Sequence, residues 1–264
     1  MKIGIIGLGK MGEALVIGLR ELDTPLTIQG TTKTQESALD MGKKLKISCT
    51  MDNRTLAKES EILILSVKPH QAEKVLTEIA PVLTAKHLII SVCAGLPTDR
   101  IAEWSLLKPA VIRAMPNTSA LVGEAMTVFC PGHNATQKHL EIAEKIFSTV
   151  GRTATVEESL MDGVTGLSGC GPAYVYMIIE SLSEAGVKVG LPRKISTLLA
   201  AQTLLGASKM VLERGEHPAS LKDEVTTPAG CTIDGLMALE EGKLRVTLIK
   251  AVLAATKRSK TLKF

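Results

Sequence analysis

The sequence has no apolar run long enough to cross a membrane and no spacing of cysteine or histidine that indicates a metal site. A membrane span needs about 18 to 20 apolar residues in a row, and the longest apolar stretches here, EILILSV and AYVYMII, are core-sized. The five cysteines show no CxxC spacing and the five histidines no paired ligand spacing. We therefore expect no metal, no disulfide framework and no membrane partner, and the unpaired cysteines fit a reducing cytoplasm.

Strong charge asymmetry is also missing. The net charge is +4 over 264 residues, with 45% hydrophobic and 22% charged residues, which is ordinary for a soluble globular protein. The only basic cluster, KRSKTLK at 257–263, has no interleaved aromatics, so we expect a solvated, frayed tail and no nucleic-acid partner. Lys10 and Glu13 interrupt the first apolar stretch, so we expect no export signal.

Up to about residue 157, short β-branched runs alternate with amphipathic stretches. This pattern predicts an α/β domain over 1–157, a Rossmann-type, doubly wound, mostly parallel sheet covered on both faces. The predicted strands are KIGIIG, LTIQG, KISCT, EILILSV, HLIISV and AVIRAM, and helical segments such as MGEALVIGLREL and TQESALDMGKKL lie between them.

From 158 to 264 the β-branched runs disappear, and the pattern predicts an all-helical domain. Its long helical segments carry alanine, glycine and serine at many apolar positions, which suits close helix packing. The amount of apolar surface favours burial against a second copy, and we expect a homo-oligomer, a dimer or an assembly of dimers. A self-contained helical bundle is the alternative.

The sequence GLGKMG at 7–12 matches the G-x-G-x-x-G fingerprint, between a predicted strand and a predicted helix. Gly7 permits the tight turn, Gly9 lets the backbone approach a pyrophosphate, and Gly12 allows close packing of helix against strand. We predict a dinucleotide site here, with a coincidental glycine-rich turn as the alternative. The predicted contacts are Ile6, Gly7, Leu8, Gly9, Lys10, Met11 and Gly12.

The end of the second strand favours NADPH over NADH. Its sequence, QGTTKTQ, has no acidic residue for the ribose hydroxyls, whereas Thr31, Thr32 and Lys33 suit a 2′-phosphate. NADH remains a possible second cofactor, and a solvated polar turn is the alternative interpretation of this segment. Two further strand ends are predicted to line the nicotinamide side: Val67, Lys68 and Pro69 in one, and Cys93, Ala94 and Gly95 in the other.

The segment TTPAGCTIDG at 226–235 breaks an otherwise helical half of the chain. It is either a plain helix connection or a loop whose amides and hydroxyls bind a small anion. Together with GLGKMG, VKP (67–69), IRAMPNT (112–118), GLSGCGPAY (166–174), GEHPASLKDEV (215–225) and TPAGCTIDGLMALEEG (227–242), it resembles the Δ1-pyrroline-5-carboxylate reductase family. These stretches run in order across nearly the whole chain.

The resemblance implies an NAD(P)H-dependent oxidoreductase acting on CH–NH groups, which reduces the C=N bond of 1-pyrroline-5-carboxylate to L-proline, the last step of proline biosynthesis. It places the loop in the active site. Gly230, Cys231 and Thr232 would bind the substrate carboxylate through backbone amides at a helix start, and the Thr232 hydroxyl would meet the ring nitrogen. A plain helix cap is the alternative for Thr232.

The same resemblance places Glu158 near the substrate and Asn53 on the adenosine side of the cofactor. A charge partner at a helix start and a helix cap are the respective alternatives. Two residues depart from the family pattern, which commonly has a second glycine at 229 and a threonine at 231. Ala229 implies either an ordinary backbone there or a slightly different loop, and Cys231 would act through its amide.

Two other functions stay open. An NADP-dependent β-hydroxyacid dehydrogenase would share the two-domain plan and the spacing of Gly166, Gly169 and Gly171, but it would place a catalytic lysine where this chain has Val175. The missing lysine favours an imine over a ketone substrate. The second alternative is a non-catalytic NADPH-binding protein that regulates partners through its helical half.

Overall fold

The computed structural model describes residues 1–262, which form two compact units. The first contains Met1–Cys170 together with the segment from Ala254 onward, and the second contains Gly171–Leu253. A division by packing need not coincide with a domain boundary in sequence, so the boundary between residues 157 and 158 stays a prediction.

The centre of the first unit is a sheet with the strand order β3-β2-β1-β4-β5-β6-β7-β8. Strands β1 to β6 are parallel, β7 is antiparallel to β6, and β8 is parallel to β7. The order of the first six strands is that of dinucleotide-binding sheets, so the predicted fold class is confirmed. The strands are β1 (Lys2–Ile6), β2 (Thr27–Thr31), β3 (Ser48–Thr50), β4 (Ile62–Leu65), β5 (Leu88–Ser91), β6 (Ala110–Met115), β7 (Ala125–Pro131) and β8 (Gly151–Thr155).

Helices cover both faces of this sheet because alternate strand residues point to opposite faces. Ile62 and Ile64 of β4 join the core under α1 and α6, while Leu63 and Leu65 join the core under α3, α4 and α5. All four residues are buried. The helices of this unit are α1 (Lys10–Leu19), α2 (Gln35–Leu45), α3 (Asn53–Glu59), α4 (Pro69–Ile79), α5 (Thr98–Trp104), α6 (Gln137–Phe147) and α7 (Met161–Val164), followed by a π-helical turn (Thr165–Gly169).

Strands β7 and β8 are absent from the strands predicted above. The sequence of β8, GRTAT, has no buried residue and no apolar run, so its pairing with β7 comes from backbone hydrogen bonds rather than from an apolar pattern. Gly151 begins this strand at φ +146°, and a Cβ there would lie 2.0 Å from the carbonyl oxygen of Ala125. Close backbone approach therefore requires glycine at this position.

The second unit is built from helices, as predicted. They are α8 (Gly171–Lys188), α9 (Arg193–Arg214), α10 (Pro218–Glu224), α11 (Cys231–Glu241) and α12 (Leu244–Lys260), whose last residues belong to the first unit. Large apolar side chains on this unit are exposed, among them Met177 at 70% and Leu198 at 62%. Helix α9 is long and apolar enough to cross a membrane by length and composition, and 11% of its apolar window is buried. Core helices of soluble proteins pass the same test of length and composition.

The prediction of a solvated, frayed basic tail is correct for the solvation, since Lys257, Arg258 and Lys260 are exposed, and wrong for the fraying. Helix α12 continues to Lys260, and Ser259, which is 6% exposed, donates a hydrogen bond of 2.6 Å to the carboxylate of Asp162. A partly buried charge-assisted bond of this kind fixes the helix end. Lys263, the last residue of the predicted tail, lies outside the described residues.

Candidate active site

The glycine turn between β1 and α1 has the geometry that the fingerprint requires. Gly7 has φ +94°, and a Cβ there would lie 2.7 Å from the Ser66 carbonyl oxygen. A Cβ on Gly12 would lie 2.8 Å from the carbonyl oxygen of Gly7, whereas a Cβ on Gly9 would meet nothing within 4 Å. The backbone at Gly9 therefore faces open space, beside the first-turn amides of α1 that have no intrahelical acceptor.

A cleft of about 420 Å³ opens at this turn, at the carboxyl ends of β1, β2 and β4. This volume lies in the usual range for cofactor pockets, about 300 to 1,000 Å³. Ten predicted residues line it: Ile6, Gly7, Leu8, Gly9, Thr31, Thr32, Lys33, Asn53, Val67 and Lys68. Seven do not: Lys10, Met11, Gly12, Pro69, Cys93, Ala94 and Gly95.

Sequence reasoning missed six residues that line the same cleft. Four of them lie on one face of α4 at helical spacing, and the other two follow β3 and β4. Extending the helical period from the VKP segment would have found the residues on α4. The missed residues are Met51, Ser66, Gln71, Lys74, Val75 and Glu78.

One rim of the cleft is held by a chain of side-chain hydrogen bonds. Thr31, which is buried, donates to Asn53 Oδ1 at 2.8 Å, and Asn53 Nδ2 donates to Glu78 at 3.2 Å. Asn53 is the first residue of α3 and the cap is Asp52, so Asn53 is not the N-cap. The hydroxyl of Thr32 donates to the carbonyl of Thr34, which leaves the exposed Lys33 as the free cation of the QGTTKTQ segment.

The strand ends at Lys68 and Cys93 differ in exposure: Lys68 is exposed and Cys93 is buried. Lys68 is the N-cap residue of α4, with Pro69 as its first residue. Cys93 is 2% exposed, its thiol donates to the carbonyl of Val67 at 3.2 Å, and burial raises the pKa of this thiol to about 11. Its side chain thus joins the ends of β4 and β5. The turn that follows passes through Gly95 at φ +75°.

Glu158 is held by donors from two elements of the first unit. Its carboxylate accepts from the amide of Thr98 at 2.8 Å and from the Thr98 hydroxyl at 2.5 Å, and it pairs with Arg113 at 3.3 Å. The pKa of the Cys130 thiol is raised to about 12, mainly by burial and secondly by the negative charge of Glu158. Glu158 remains about one-third exposed. Its predicted contact with substrate stays a prediction.

In the second unit, the loop 226–230 leads directly into α11. Gly230 is the N-cap of this helix, no side chain caps it, and the Gly230 amide donates to the carbonyl of Thr227 at 3.0 Å. The amides of Cys231 and Thr232 then open the helix without intrahelical acceptors. Since Gly230 is the N-cap, the interpretation of Thr232 as a plain helix cap does not hold. Ala229 has φ +56°, so its backbone adopts the left-handed conformation.

An ion-pair cluster joins the helices that precede this loop. Arg214, at the end of α9, makes a bidentate pair with Glu224 at 2.8 Å for both contacts and also binds Glu216. The guanidinium holds the pKa of the Glu224 carboxyl below its ordinary value. Glu224 is the last residue of α10, so the cluster fixes the chain two residues before the loop begins.

The structure also bears on the β-hydroxyacid dehydrogenase alternative and on the expectation that no metal is bound. The residues Gly166 and Gly169 lie in the π-helical turn, whose Ser168 carbonyl accepts from Asn117 at 3.2 Å. Val175, which stands at the lysine position of the β-hydroxyacid dehydrogenases, is exposed and offers no proton. Among residues 1–262, no group of three or more His, Cys, Asp or Glu side chains is placed to hold a metal ion.

Comparison with known proteins extends across the whole chain. Residues 158–262 match the family model for pyrroline-5-carboxylate reductase dimerisation, and residues 2–95 match the model for NADP oxidoreductase, coenzyme F420-dependent. The pyrroline-5-carboxylate reductase of Methanosarcina acetivorans is 45% identical over 99% of this chain and 97% of its own length.

Two solved structures are similar over the full chain. A pyrroline-5-carboxylate reductase from Coxiella burnetii has a TM-score of 0.92 and 35% identity, covering 99% of this chain and 98% of its own. The Plasmodium falciparum pyrroline carboxylate reductase, solved with NADP bound, has a TM-score of 0.87 and 35% identity, covering 98% and 97%. The predictions of family and of homo-oligomerisation are confirmed. This chain is a member of the pyrroline-5-carboxylate reductase family.

Proposed function

We propose that this chain reduces the C=N bond of 1-pyrroline-5-carboxylate with NADPH to give L-proline, the last step of proline biosynthesis. The observation that carries the proposal is the start of α11, where no side chain caps the helix and the amides of Cys231 and Thr232 lack intrahelical acceptors. Such a helix start binds a carboxylate without a buried cation. The substrate of the relatives is a cyclic imine that bears one.

The cleft of the first unit supports NADPH as the cofactor. The open space at Gly9 suits a pyrophosphate, and Lys33 and Lys74 supply positive charge along the lining. Lys33, with Thr32, is the proposed contact of the 2′-phosphate, and NADH is a weaker substitute. Bound there, the dinucleotide supplies the hydride for the reaction. A similar solved structure from Plasmodium falciparum contains NADP.

The residues of the α11 start have separate tasks in this proposal. The amides of Cys231 and Thr232 hold the substrate carboxylate, and Gly230 shapes the turn as the cap residue. The Thr232 hydroxyl accepts a hydrogen bond from the protonated ring nitrogen and so fixes the ring orientation. Glu158, with part of its carboxylate exposed, is the proposed acidic contact of the substrate.

The chemistry needs orientation more than acid catalysis. Hydride transfer to a protonated imine forms a C–H bond and places the C=N π electrons on nitrogen, so the product is a neutral amine. A ketone would leave an alkoxide that requires a proton donor. Val175 cannot donate a proton at the position where a dehydrogenase would use lysine, which favours the imine.

We further propose that domain 1–157 binds the cofactor and that domain 158–264 carries the substrate loop and the dimer interface. The apolar faces exposed on α8 and α9 are then the surfaces that a second copy covers, in a dimer or an assembly of dimers. The family is one of soluble enzymes, and we place this chain in the cytoplasm.

The proposal is tested by incubating the purified protein with NADPH and racemic 1-pyrroline-5-carboxylate. We expect one L-proline to form for each NADPH oxidised, and no oxidation coupled to a panel of β-hydroxyacids and their ketones. Binding of NADPH without proline formation would contradict the proposal and favour a regulatory protein.

A further inference from the structure

We propose that Thr98 is a positioning residue for the imine reduction, because its hydroxyl fixes the orientation of the Glu158 carboxylate. The inference rests on the proposed function and on the proposed contact between Glu158 and the substrate. Thr98 is the first residue of α5, and it lies outside the lining of the cofactor cleft.

The geometry divides the donors unequally between the two carboxylate oxygens. Oε1 of Glu158 accepts from the Thr98 amide at 2.8 Å and from Arg113 at 3.3 Å. Oε2 accepts from the Thr98 hydroxyl at 2.5 Å. The backbone amide and Arg113 therefore hold one oxygen in place, and the rotation of the carboxylate about that oxygen is restrained by the hydroxyl.

Burial makes this restraint rigid. Thr98 is 3% exposed and Arg113 is 5% exposed, while the Glu158 side chain is one-third exposed. The two donors thus lie inside the protein and the carboxylate reaches its surface. A charge-assisted bond between a buried hydroxyl and a carboxylate is stronger than one between neutral groups.

The backbone of Gly132 approaches the side chain of Thr98. A Cβ added to Gly132 would lie 2.5 Å from the Cβ of Thr98, so the close approach requires glycine at position 132. Thr98 also lies three residues after Gly95, and Cys93, Ala94 and Gly95 are predicted to line the nicotinamide side. The Thr98 hydroxyl thereby connects the segment that carries Glu158 with the turn at Gly95.

The test replaces the hydroxyl without changing the shape of the side chain. Thr98→Val keeps the backbone amide bond to Oε1 and removes the donor to Oε2, and Thr98→Ser keeps the donor. We expect Thr98→Val to raise the KM for 1-pyrroline-5-carboxylate by roughly 3- to 10-fold. The Kd for NADPH, measured by nucleotide fluorescence, should change less than about twofold because the cleft is untouched.

A double-mutant cycle separates this role from a purely structural one. In a Glu158→Ala background the carboxylate that the hydroxyl orients is absent, so Thr98→Val should change the KM by less than about twofold. Thr98→Ser as a single substitution keeps the hydroxyl and should have the wild-type KM. Where Thr98→Val lowers the Tm to the assay temperature, Thr98→Ala, which also removes the hydroxyl and keeps the backbone amide, serves in the same cycle.

The outcomes distinguish this inference from the proposed function. Turnover of the imine by the wild-type protein with equal KM values for Thr98→Val and Thr98→Ser would overturn the positioning role alone. Additive effects of Thr98→Val and Glu158→Ala would also overturn it, since the hydroxyl would then act independently of the carboxylate. Absence of imine turnover by the wild-type protein would overturn both.

Discussion

The hydroxyl of Thr31 donates to the side-chain oxygen of Asn53 at 2.8 Å, and this bond closes one rim of the cofactor cleft. Thr31 is 2% exposed and its proton is committed to Asn53. Of the three residues predicted to bind a 2′-phosphate, Lys33 is the one whose cation is exposed at the cleft. The proposed recognition of a 2′-phosphate therefore depends mainly on Lys33.

Lys33→Ala should reduce the preference for NADPH over NADH. Loss of one charge-assisted contact at an exposed position corresponds to about a 10-fold fall in the ratio of kcat/KM with NADPH to kcat/KM with NADH. This effect should weaken as salt is added. Lys43→Ala on α2 is the matched control, since it removes the same charge from an exposed position outside the cleft. An unchanged ratio in Lys33→Ala would contradict the assignment.

Thr232→Ala should lower kcat/KM for the imine by roughly 10- to 100-fold, equivalent to about 1.5 to 3 kcal/mol of orientation. The Tm should not fall, because Gly230 is the cap of α11 and the threonine side chain does not cap it. Thr232→Ser retains the hydroxyl and should keep most of the activity. A fall in Tm that accounts for the lost activity would indicate a structural role instead.

Ala229→Gly should stabilise the protein against unfolding. Ala229 has φ +56°, a conformation that costs an L-residue about 1 to 2 kcal/mol. Glycine relieves this strain and loses about 0.4 to 1 kcal/mol to the entropy of the unfolded chain, so we expect a net gain of up to about 1.6 kcal/mol.

This gain is measured by urea unfolding at a fixed protein concentration, because association shifts apparent stability. Ala238→Gly, in the exposed interior of α11, is the control with the opposite sign and should lose about 1 kcal/mol. Destabilisation by Ala229→Gly would show that the loop conformation differs from the one described.

Stability should fall in alkali because the Cys93 thiol keeps its proton in the folded protein at pH values where it ionises in the unfolded chain. The pKa of this thiol is about 11 in the folded state against 9.0 as its ordinary value, because burial disfavours the thiolate. The folded state holds the proton more tightly, so the contribution is complete below about pH 9 and is lost as the pH rises to 11. Its size is roughly 3 kcal/mol.

Cys93→Ala removes this contribution while the other alkaline titrations remain. We expect the free energy of unfolding of Cys93→Ala to fall less steeply between pH 9 and 11 than that of the wild type. Identical slopes for the two proteins would contradict the burial of the thiol.

The parallel strands and the glycine turn were predictable because each has a local pattern. The apolar runs of β1, β4, β5 and β6 fill a sheet that is buried on both faces. Strand β8 has no such run, and its pairing with β7 depends on distant backbone groups. Local periodicity carries no signal for a strand of this kind.

The site was predictable where a motif carries its own geometry and not where distant residues meet. Thr98 and Glu158 are 60 residues apart, and no local pattern predicts their hydrogen bonds. Ala229 is similar: an alanine does not indicate a positive φ, since it disfavours that conformation. The residues of α4 that line the cleft did have a signal, the helical period after Pro69.

The proposed function is tested most directly by comparing two imines, 1-pyrroline-5-carboxylate and 1-pyrroline, which lacks the carboxylate, by the initial rate of NADPH oxidation. If the amides of Cys231 and Thr232 hold the carboxylate, kcat/KM for 1-pyrroline should be lower by about 100-fold or more. Equal values for the two imines, or oxidation with neither, would contradict the account.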